Sequence, residues 1–263
     1  MLESEKPKIN LPTKDLGIQP LTKQEIHDTA VERVHLISKE FTDGFNFLRN
    51  YPKSVTIFGG NLIKEDNPYY IKARNLGHRI ATELKYAIFT GGGPGIMEAA
   101  NRGAFEAGGE SVGLNVELPH HQVQNPYINR YLNFHYFFSR KVCLGFSAES
   151  YIFFPGGFGT FDEFFEIITL VQTGKIEKVP IILVGKEFWK HLDELMRKEM
   201  LSRGMIDAED LTLYTIIDDE DEILKIIRNT PVRNGIGFSY SHNDLEKHGI
   251  VIEPGDGRII KYD

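Results

Sequence analysis

Residues 86–98 read YAIFTGGGPGIME, a strand pattern that runs directly into a glycine-rich turn and then into a helix. The first five residues are apolar, aromatic or β-branched, which is typical of a strand covered on both faces. The same order returns at residues 151–163, YIFFPGGFGTFDE. Both turns join the carboxyl end of a strand to the start of a helix. In a parallel sheet, ligands bind at the carboxyl ends of the strands.

Working outward from these two stretches, apolar strands and amphipathic helices alternate along the chain. This alternation predicts an α/β fold, a doubly wound, Rossmann-like parallel sheet with helices on both faces. The predicted strands are residues 54–58, 86–90, 111–118, 151–154, 179–184 and 213–217. The predicted helices are residues 68–84, 96–107, 136–148, 160–173, 188–201 and 219–227.

The ends of the chain differ from this pattern, so we expect three parts. Residues 1–50 form an N-terminal arm and an amphipathic helix, in which apolar residues recur at helical spacing from Ile26 to Ile37. Residues 51–230 form the Rossmann-like domain that carries both glycine-rich turns. Residues 231–263 form a tail whose short apolar runs fit either a small hairpin or a segment that packs on the domain or on a neighbouring subunit.

Composition narrows the class of protein. The 263 residues are 41% hydrophobic and 25% charged, as in soluble globular proteins. The net charge of −7 argues against a polynucleotide as partner. One cysteine cannot form an internal disulfide, and no signal or membrane-spanning segment is visible, so we expect a cytoplasmic protein that does not bind membranes.

The two glycine-rich turns predict a phosphate or nucleotide site. Glycine lets the backbone approach a ligand closely, and the following helix points free N–H groups and a positive dipole end at an anion. The first turn is not a dinucleotide fingerprint, because Glu98 stands where the third glycine of G-x-G-x-x-G belongs. A P-loop motif is also lacking. These features disfavour an NAD-dependent dehydrogenase and an ATPase.

The segment Thr160-Phe161-Asp162-Glu163 has two interpretations. It matches the capping box, in which Thr160 and Glu163 each bond the other's backbone N–H, and spacing alone favours this structural role. The same segment also places the Glu163 carboxylate at the mouth of the second turn, where it would polarise water or stabilise a sugar cation.

Three segments together resemble the LOG ("Lonely guy") family of cytokinin riboside 5'-monophosphate phosphoribohydrolases and their bacterial relatives, long mislabelled as lysine decarboxylases. They are GGGPGIMEAANRGA at 91–104, SRK at 139–141 and PGGFGTFDE at 155–163. The third agrees with the family signature P-G-G-x-G-T-x-x-E at every specified position. The resemblance runs from about residue 54 to residue 184, roughly half of the chain.

The resemblance implies hydrolysis of the N-glycosidic bond of a nucleoside 5'-monophosphate, AMP or a cytokinin-type modified AMP, to free base and ribose 5-phosphate. By position, Arg140 and Glu163 match the catalytic arginine and glutamate. The residues expected to bind substrate or phosphate are Gly92, Gly93, Met97, Lys141, Gly156, Gly157, Gly159 and Thr160. Neither a metal nor another cofactor is implied, and the family's assemblies lead us to expect a homo-oligomer, a dimer or higher.

The chemistry of the residues agrees with this reaction. Breaking a bond from C1' to nitrogen develops positive charge on the ribose, which Glu163 would stabilise while it orients or deprotonates water. Arg140 would hold substrate oxygens or the purine ring. The alternative is a nucleotide-binding regulatory protein on the same fold without turnover. A pyridoxal-phosphate decarboxylase is disfavoured, since nothing marks Lys141 as a Schiff-base lysine.

Other candidate residues have structural explanations. Cys143 is interpreted as a small core residue, and the adjacent His120 and His121 as loop histidines without the spacing of zinc ligands. One position departs from the short plant members of the family, which carry serine where this chain has Asn61 after Gly59-Gly60. The hydroxyl contact that serine makes in those members is therefore not expected in this chain.

Overall fold

A computed structural model of the protein describes residues 22–117, 124–232, 250–252 and 259–261. The chain divides into two compact units, Met1–Lys39 and Glu40–Asp263. The predicted arm and the pair His120-His121 lie outside the described residues. No helix in the described ranges is long and apolar enough to cross a membrane.

The larger unit is built on a parallel sheet, which confirms the predicted fold class. Of the described residues, seven segments pair in parallel in the spatial order β4-β3-β2-β1-β5-β6-β7. They are β1 (Ser54–Phe58), β2 (Ala87–Thr90), β3 (Ser111–Val116), β4 (Arg130–Phe134), β5 (Tyr151–Phe153), β6 (Ile181–Leu183) and β7 (Thr215–Ile216).

Helices precede, connect and follow these strands. They are α1 (Lys23–Leu48), α2 (Pro68–Arg79), α3 (Ile96–Glu106), α4 (Phe137–Gly145), α5 (Phe158–Gln172), α6 (Lys186–Leu195) and α7 (Glu220–Asn229). Both α2 and α6 continue as a π-helical turn, at Ile80–Leu84 and Met196–Leu201. Sequence dictates one start clearly: Asn67 accepts a hydrogen bond from the N–H of Tyr69 at 2.9 Å, and Pro68 occupies the first turn.

Apolar side chains cover the sheet on both faces, as the uncharged strands predict. Neighbouring strand residues point to opposite sides, so Phe89 packs in one cluster and Ile88 in the other. The first cluster receives side chains from α4, α5 and α6, including Trp189, and the second from α2, α3 and α7. Strand β4 was not predicted because most of its residues are polar or exposed, as suits an edge strand.

The strand order also fixes where a ligand site belongs. From β1 the chain winds outward through β2 and β3 to β4, then returns to place β5 on the other side of β1. The connections after β1 and β5 therefore leave the sheet in opposite directions and open a crevice between the carboxyl ends of these two strands. Glycines that follow both strands line this crevice, Gly59 and Gly60 after β1 and Gly157 and Gly159 after β5.

The two ends of the chain are described in part. The periodic stripe beginning at Ile26 is helical, within α1. In the tail, β8 (Ile250–Ile252) pairs antiparallel with β9 (Ile259–Lys261), which is a hairpin arrangement. The boundaries at residues 51 and 231 remain predictions, since the compact units divide after Lys39 instead.

Candidate active site

A cavity of about 320 Å³ lies at the crevice between β1 and β5. Phe58 to Asn61 contribute one wall, and Gly157 to Glu163, except Phe161, contribute another. The remaining lining residues are Gly91, Met97, Val116, Phe137, Arg140 and Leu144. The cavity thus combines backbone from glycine-rich turns, a mostly apolar side and three charged side chains, those of Arg140, Asp162 and Glu163.

The structure brings together six of the ten residues predicted for the site. Those lining the cavity are Met97, Arg140, Gly157, Gly159, Thr160 and Glu163. The other four, Gly92, Gly93, Lys141 and Gly156, are not among its lining residues. Gly156 instead lies under Thr160, where an added Cβ would come within 2.1 Å of the threonine Oγ1.

A buried polar network fixes the first glycine-rich turn. Asn125 donates from its backbone N–H to the carbonyl of Gly92 (2.9 Å) and from Nδ2 to the carbonyl of Gly93 (3.1 Å). Its Nδ2 also reaches Oδ1 of Asn101 (3.0 Å), which accepts from Thr90 Oγ1 (2.5 Å). Gly92 and Gly93 therefore shape the turn through their carbonyls, and the buried network fixes that shape.

Two positions in this turn need glycine for reasons of space. At Gly95, φ is +72°, and a Cβ would lie 2.3 Å from the carbonyl oxygen of Gly60. At Gly91, a Cβ would lie 2.2 Å from Nη2 of Arg140. Gly95 lets the turns after β1 and β2 approach each other closely, and Gly91 leaves room for the guanidinium of Arg140.

Arg140 is held inside the protein by α4. Its Nε donates to the carbonyl of Leu114 at 2.7 Å, Nη2 donates to the carbonyl of Gly91 at 3.3 Å, and the guanidinium lies 5.7 Å from the centroid of the Phe137 ring. Burial lowers the pKa of Arg140 below its ordinary value, and the nearby charge of Glu163 offsets only part of this effect. Since an arginine stays protonated in proteins, the result is a fixed cation in a nearly dry site.

Glu163 is the least satisfied polar group of the cavity. The residue is 6% exposed, and its Oε2 is buried without a hydrogen-bond partner among the described residues. Burial raises the pKa of Glu163 to about 7, opposed by the charge of Arg140 and Lys141 and assisted by Glu166 and Asp162. A carboxyl group with a pKa near neutrality is suited to accept or deliver a proton.

The capping-box interpretation of Thr160 and Glu163 is wrong. Helix α5 begins at Phe158, with Gly157 as its N-cap, so Thr160 is already the third helical residue. The N–H groups of Thr160 and Phe161 donate to the carbonyl of Gly157 at 3.0 and 3.1 Å. The N-cap therefore lies three residues before Thr160, the predicted one. Glu163 is consequently free of a capping role.

Lys141 turns away from the cavity toward acidic side chains of α5. Its Nζ lies 2.9 Å from Oδ2 of Asp162 and 2.8 Å from Oε2 of Glu166. Burial lowers the pKa of Lys141, but the bonds to Glu166 and Asp162 outweigh this and raise it. The lysine thus balances two carboxylates that flank Glu163 on the same helix.

Sequence reasoning missed several cavity residues. Three aromatic rings line the cavity, those of Phe58, Phe137 and Phe158, and Phe158, the variable residue of the second turn, is 97% exposed. No motif marks Phe137 before its position is known, and none marks Asn125, which supports the first turn from outside the cavity lining. Cys143 is buried, and burial raises the pKa of its thiol to about 12, as for the predicted core residue. In the described ranges, no group of three or more His, Cys, Asp and Glu side chains is placed to hold a metal ion.

The pKa of Glu163 gives a prediction about stability. The unfolded chain should release this proton near pH 4.5 and the folded protein near pH 7, so the folded state binds it more tightly. Stability from this group is full below pH 4.5 and is lost as pH rises through 7. Glu163→Gln should therefore raise the free energy of unfolding at pH 8 by about 2–3 kcal/mol, with little change at pH 4.5.

Urea unfolding of both proteins at several pH values between 4.5 and 8 measures this difference. Glu209→Gln, at an exposed carboxylate, is the matched control and should follow the wild type. A wild type and a Glu163→Gln variant whose stabilities change in parallel with pH would show that Glu163 has an ordinary pKa.

Known proteins provide independent comparisons. A family model described as "Possible lysine decarboxylase" matches residues 97–227, about half of the chain. A cytokinin riboside 5'-monophosphate phosphoribohydrolase from Rhodococcoides fascians is 29% identical over 151 residues, covering 55% of this chain and 74% of that protein. A pyrimidine/purine nucleotide 5'-monophosphate nucleosidase from Escherichia coli (strain K12) is 27% identical over 226 residues, 76% of this chain and 48% of the relative.

Solved structures also align. One is a molybdenum cofactor carrier protein from Chlamydomonas reinhardtii, with 21% identity and a TM-score of 0.49, over 68% of this chain and 97% of that one. The range that the family model matches includes Arg140 and Glu163, and the two relatives are named for activity on 5'-monophosphates. Together with the signature at residues 155–163, the family model and these relatives show that the chain belongs to the LOG family, the family described as possible lysine decarboxylases.

Proposed function

We propose that this protein is a nucleoside 5'-monophosphate phosphoribohydrolase, which splits its substrate into free base and ribose 5-phosphate. The observation that carries the proposal is the buried, unpartnered Oε2 of Glu163 beside the cation of Arg140, in the cavity at the switch point of the sheet. The relatives named as phosphoribohydrolase and nucleotide nucleosidase support the same reaction class.

The 5'-phosphate is proposed to bind at the start of α5. The N-terminus of this 15-residue helix carries a positive dipole end, and Gly157 and Gly159 let the phosphate approach its backbone. At neither glycine does an added Cβ meet an atom within 4 Å, so the space beside them is open. Gly92, Gly93 and Gly156 are proposed to support the site by shaping the two turns rather than by contact.

The base and ribose are proposed to occupy the less polar part of the cavity. Met97, Val116, Phe137 and Leu144 line it there and would exclude water from the departing base. Two of the guanidinium nitrogens of Arg140 are engaged by protein carbonyls, which leaves Nη1 to meet the substrate. AMP and cytokinin-type modified AMP are the proposed substrates, since a purine fits this apolar, aromatic wall.

In the proposed reaction, the bond from C1' to the base nitrogen breaks and its electron pair leaves with the base. The ribose becomes oxocarbenium-like, and the ionised carboxylate of Glu163 stabilises that positive charge. Water then forms the new bond to C1' and passes a proton to Glu163. Glu163 transfers this proton to the departing base. The pKa of about 7 lets one group do both at neutral pH.

Several finer features are part of the proposal. The partner is a free mononucleotide rather than a polynucleotide, in keeping with the net charge of −7. A cytoplasmic location agrees with the single buried cysteine. A homo-oligomer agrees with the exposed apolar side chains of Ile26 and Val34 on α1, and light scattering measures it.

A panel of substrates tests the proposed function. Purified protein is incubated with AMP, GMP, CMP, UMP and isopentenyladenosine 5'-monophosphate, and with adenosine as the control lacking phosphate. Base release is expected from at least one monophosphate and not from adenosine. Release from none of them would overturn the enzyme proposal, and tight nucleotide binding in that case would favour the regulatory protein without turnover.

Lys141 provides a pH-dependent prediction. In Lys141→Gln, Asp162 and Glu166 lose their cation, so their charges should raise the pKa of Glu163. Because the ionised carboxylate stabilises the ribose, the acid limb of the plot of kcat against pH should move to higher pH. Glu166→Gln removes one of the acidic neighbours and should move the limb the opposite way.

The same pH profiles test whether Lys141 binds substrate, as the family resemblance implies. A substrate contact would appear as a higher KM for the monophosphate with both limbs of the kcat profile unmoved. That result would contradict the electrostatic role and restore Lys141 to the phosphate site.

A further inference from the structure

A carboxylate from the end of α1 binds the start of α4, the helix that carries Arg140. Glu40 Oε1 accepts a hydrogen bond from the N–H of His135 at 2.5 Å, and its two oxygens lie 3.4 and 3.3 Å from the N–H of Tyr136. Ser139 donates a short hydrogen bond from its Oγ to Oε2 of the same carboxylate. Glu40 and its partners all lie in the larger unit.

This contact anchors the start of α4. Tyr136, the N-cap of α4, makes no side-chain capping hydrogen bond. Glu40, 95 residues before His135 in sequence, accepts instead from the N–H groups of the two residues that precede the helix, His135 and Tyr136, and from the hydroxyl of Ser139 in its first turn. It also places a negative charge at the positive end of the helix dipole. A nine-residue helix has few other bonds to hold its start in place.

A second contact, one helical turn further on both helices, shows that α1 and α4 pack closely. A Cβ on Gly44 would lie 2.4 Å from Sγ of Cys143, so only glycine admits this approach. The pairs Glu40 with Ser139 and Gly44 with Cys143 have matching spacings of four residues. The end of α1 therefore lies along α4 and fixes its position relative to the sheet.

The position of α4 determines where the Arg140 side chain lies. Arg140 follows Ser139 in sequence, and its backbone N–H donates to the carbonyl of Tyr136 at 3.3 Å. Its guanidinium must reach the carbonyl of Leu114 in β3 and the carbonyl of Gly91 directly after β2. A shift in the first turn of α4 would move the guanidinium relative to Glu163, whereas the sheet would stay in place.

We propose that Glu40 is a positioning residue of the active site, which holds the first turn of α4 so that Arg140 meets the substrate beside Glu163. The kinetic part of this inference rests on the proposed function. The geometric part, that Glu40 holds the Arg140 side chain, stands on the hydrogen bonds alone and has its own readout.

Three variants test the proposal. Glu40→Ala removes both carboxylate oxygens, while Glu40→Gln keeps one oxygen acceptor and removes the charge. In the glutamine variant, the amide oxygen still accepts from His135, and the amide NH2 donates to Ser139 Oγ, whose proton turns to the carbonyl of Tyr136 at 2.9 Å. Glu32→Ala, at an exposed carboxylate on the same helix, is the matched control.

The first readout is hydrogen exchange of the Arg140 Nε–H, followed by NMR on protein labelled with ¹⁵N-arginine. This proton is buried and bonded to Leu114, so it should exchange slowly in the wild type. In Glu40→Ala it should exchange at least about tenfold faster. In Glu40→Gln and Glu32→Ala it should remain slow. This measurement needs no turnover.

The second readout is base release from the monophosphate. Glu40→Ala should lower kcat by about tenfold or more, with a smaller change in KM. The reason is that displacing the guanidinium weakens its stabilisation of the transition state more than its binding of the substrate. Glu40→Gln should recover most of the loss. A global loss of folding would instead lower the active fraction, which unfolding curves measure.

The outcomes separate the two proposals. Wild-type protein that releases no base contradicts the proposed function, while the exchange of the Arg140 Nε–H still decides the role of Glu40. Slow exchange in Glu40→Ala, or wild-type kcat in an active Glu40→Ala variant, would overturn the positioning role. So would a Glu40→Gln variant as impaired as Glu40→Ala in both readouts.

Discussion

Replacing Glu163 with glutamine is expected to lower kcat for base release by about 10²–10⁴-fold. The amide is close to the carboxyl group in size and retains its place in α5, but it neither stabilises a ribosyl cation nor accepts a proton from water. Binding of the monophosphate should change little, since the phosphate is proposed to bind at Gly157 and Gly159. Initial rates and KM, measured on the best substrate of the panel, give both quantities.

The control for this variant is its neighbour. Asp162→Asn removes the same charge one residue earlier on α5, at a side chain that lines the cavity and pairs with Lys141. Its loss of kcat should be much smaller. A Glu163→Gln variant with the wild-type rate would contradict the catalytic role, and its unfolding curve would show whether the protein is folded.

The second large effect is expected at Arg140. Arg140→Met keeps an unbranched, flexible side chain but shortens it and removes the cation, the two hydrogen bonds to protein carbonyls and the terminal nitrogen proposed for the substrate. The loss in kcat/KM should be about 10²–10³-fold. The pKa of Glu163 should also rise, because Arg140 is the charge that lowers it most. The acid limb of the pH profile then moves to higher pH.

Arg140→Lys refines this prediction. Lysine retains the charge but not the planar fork that serves Leu114, Gly91 and the substrate at once. It should therefore recover the pH profile of the wild type but only part of its kcat/KM. Wild-type kinetics in Arg140→Met would show that the guanidinium has no part in the reaction.

Much of the architecture could be predicted because each strand carries its own signal. An uncharged apolar run followed by glycine marks a buried strand of a parallel sheet, and the two turns at residues 91–95 and 155–159 follow from it. Strand β4 escaped prediction because Arg130 to Phe134 is largely exposed at the sheet edge. Its place is determined by pairing with β3, which a local pattern does not contain.

The start of α5 shows where a motif misleads. The capping-box spacing of Thr160 and Glu163 predicts Thr160 as the N-cap, but the N-cap is Gly157 and the helix begins at Phe158. Once Thr160 lies within the first turn, the carboxylate of Glu163 is one turn inside the helix and faces the cavity. The functional interpretation, which spacing alone disfavoured, thereby loses its structural competitor.

Lys141 and Glu40 show what sequence adjacency omits. The order Ser139-Arg140-Lys141 suggests that both cations face one ligand, yet successive residues of a helix point about 100° apart. The structure turns Arg140 into the cavity and Lys141 toward Asp162 and Glu166. The partner of Ser139 lies 99 residues away, and no periodicity links the two positions.

The most direct test of the proposed reaction is the stoichiometry of its products. The monophosphate consumed fastest in the panel is converted to completion, and base, nucleoside, ribose 5-phosphate and inorganic phosphate are all measured, with Glu163→Gln protein run in parallel. Equal amounts of free base and ribose 5-phosphate, formed by the wild type and only after far longer times by the variant, are the expected result. Nucleoside and inorganic phosphate in their place, or the same products at the same rate from Glu163→Gln, would contradict cleavage of the N-glycosidic bond at Glu163.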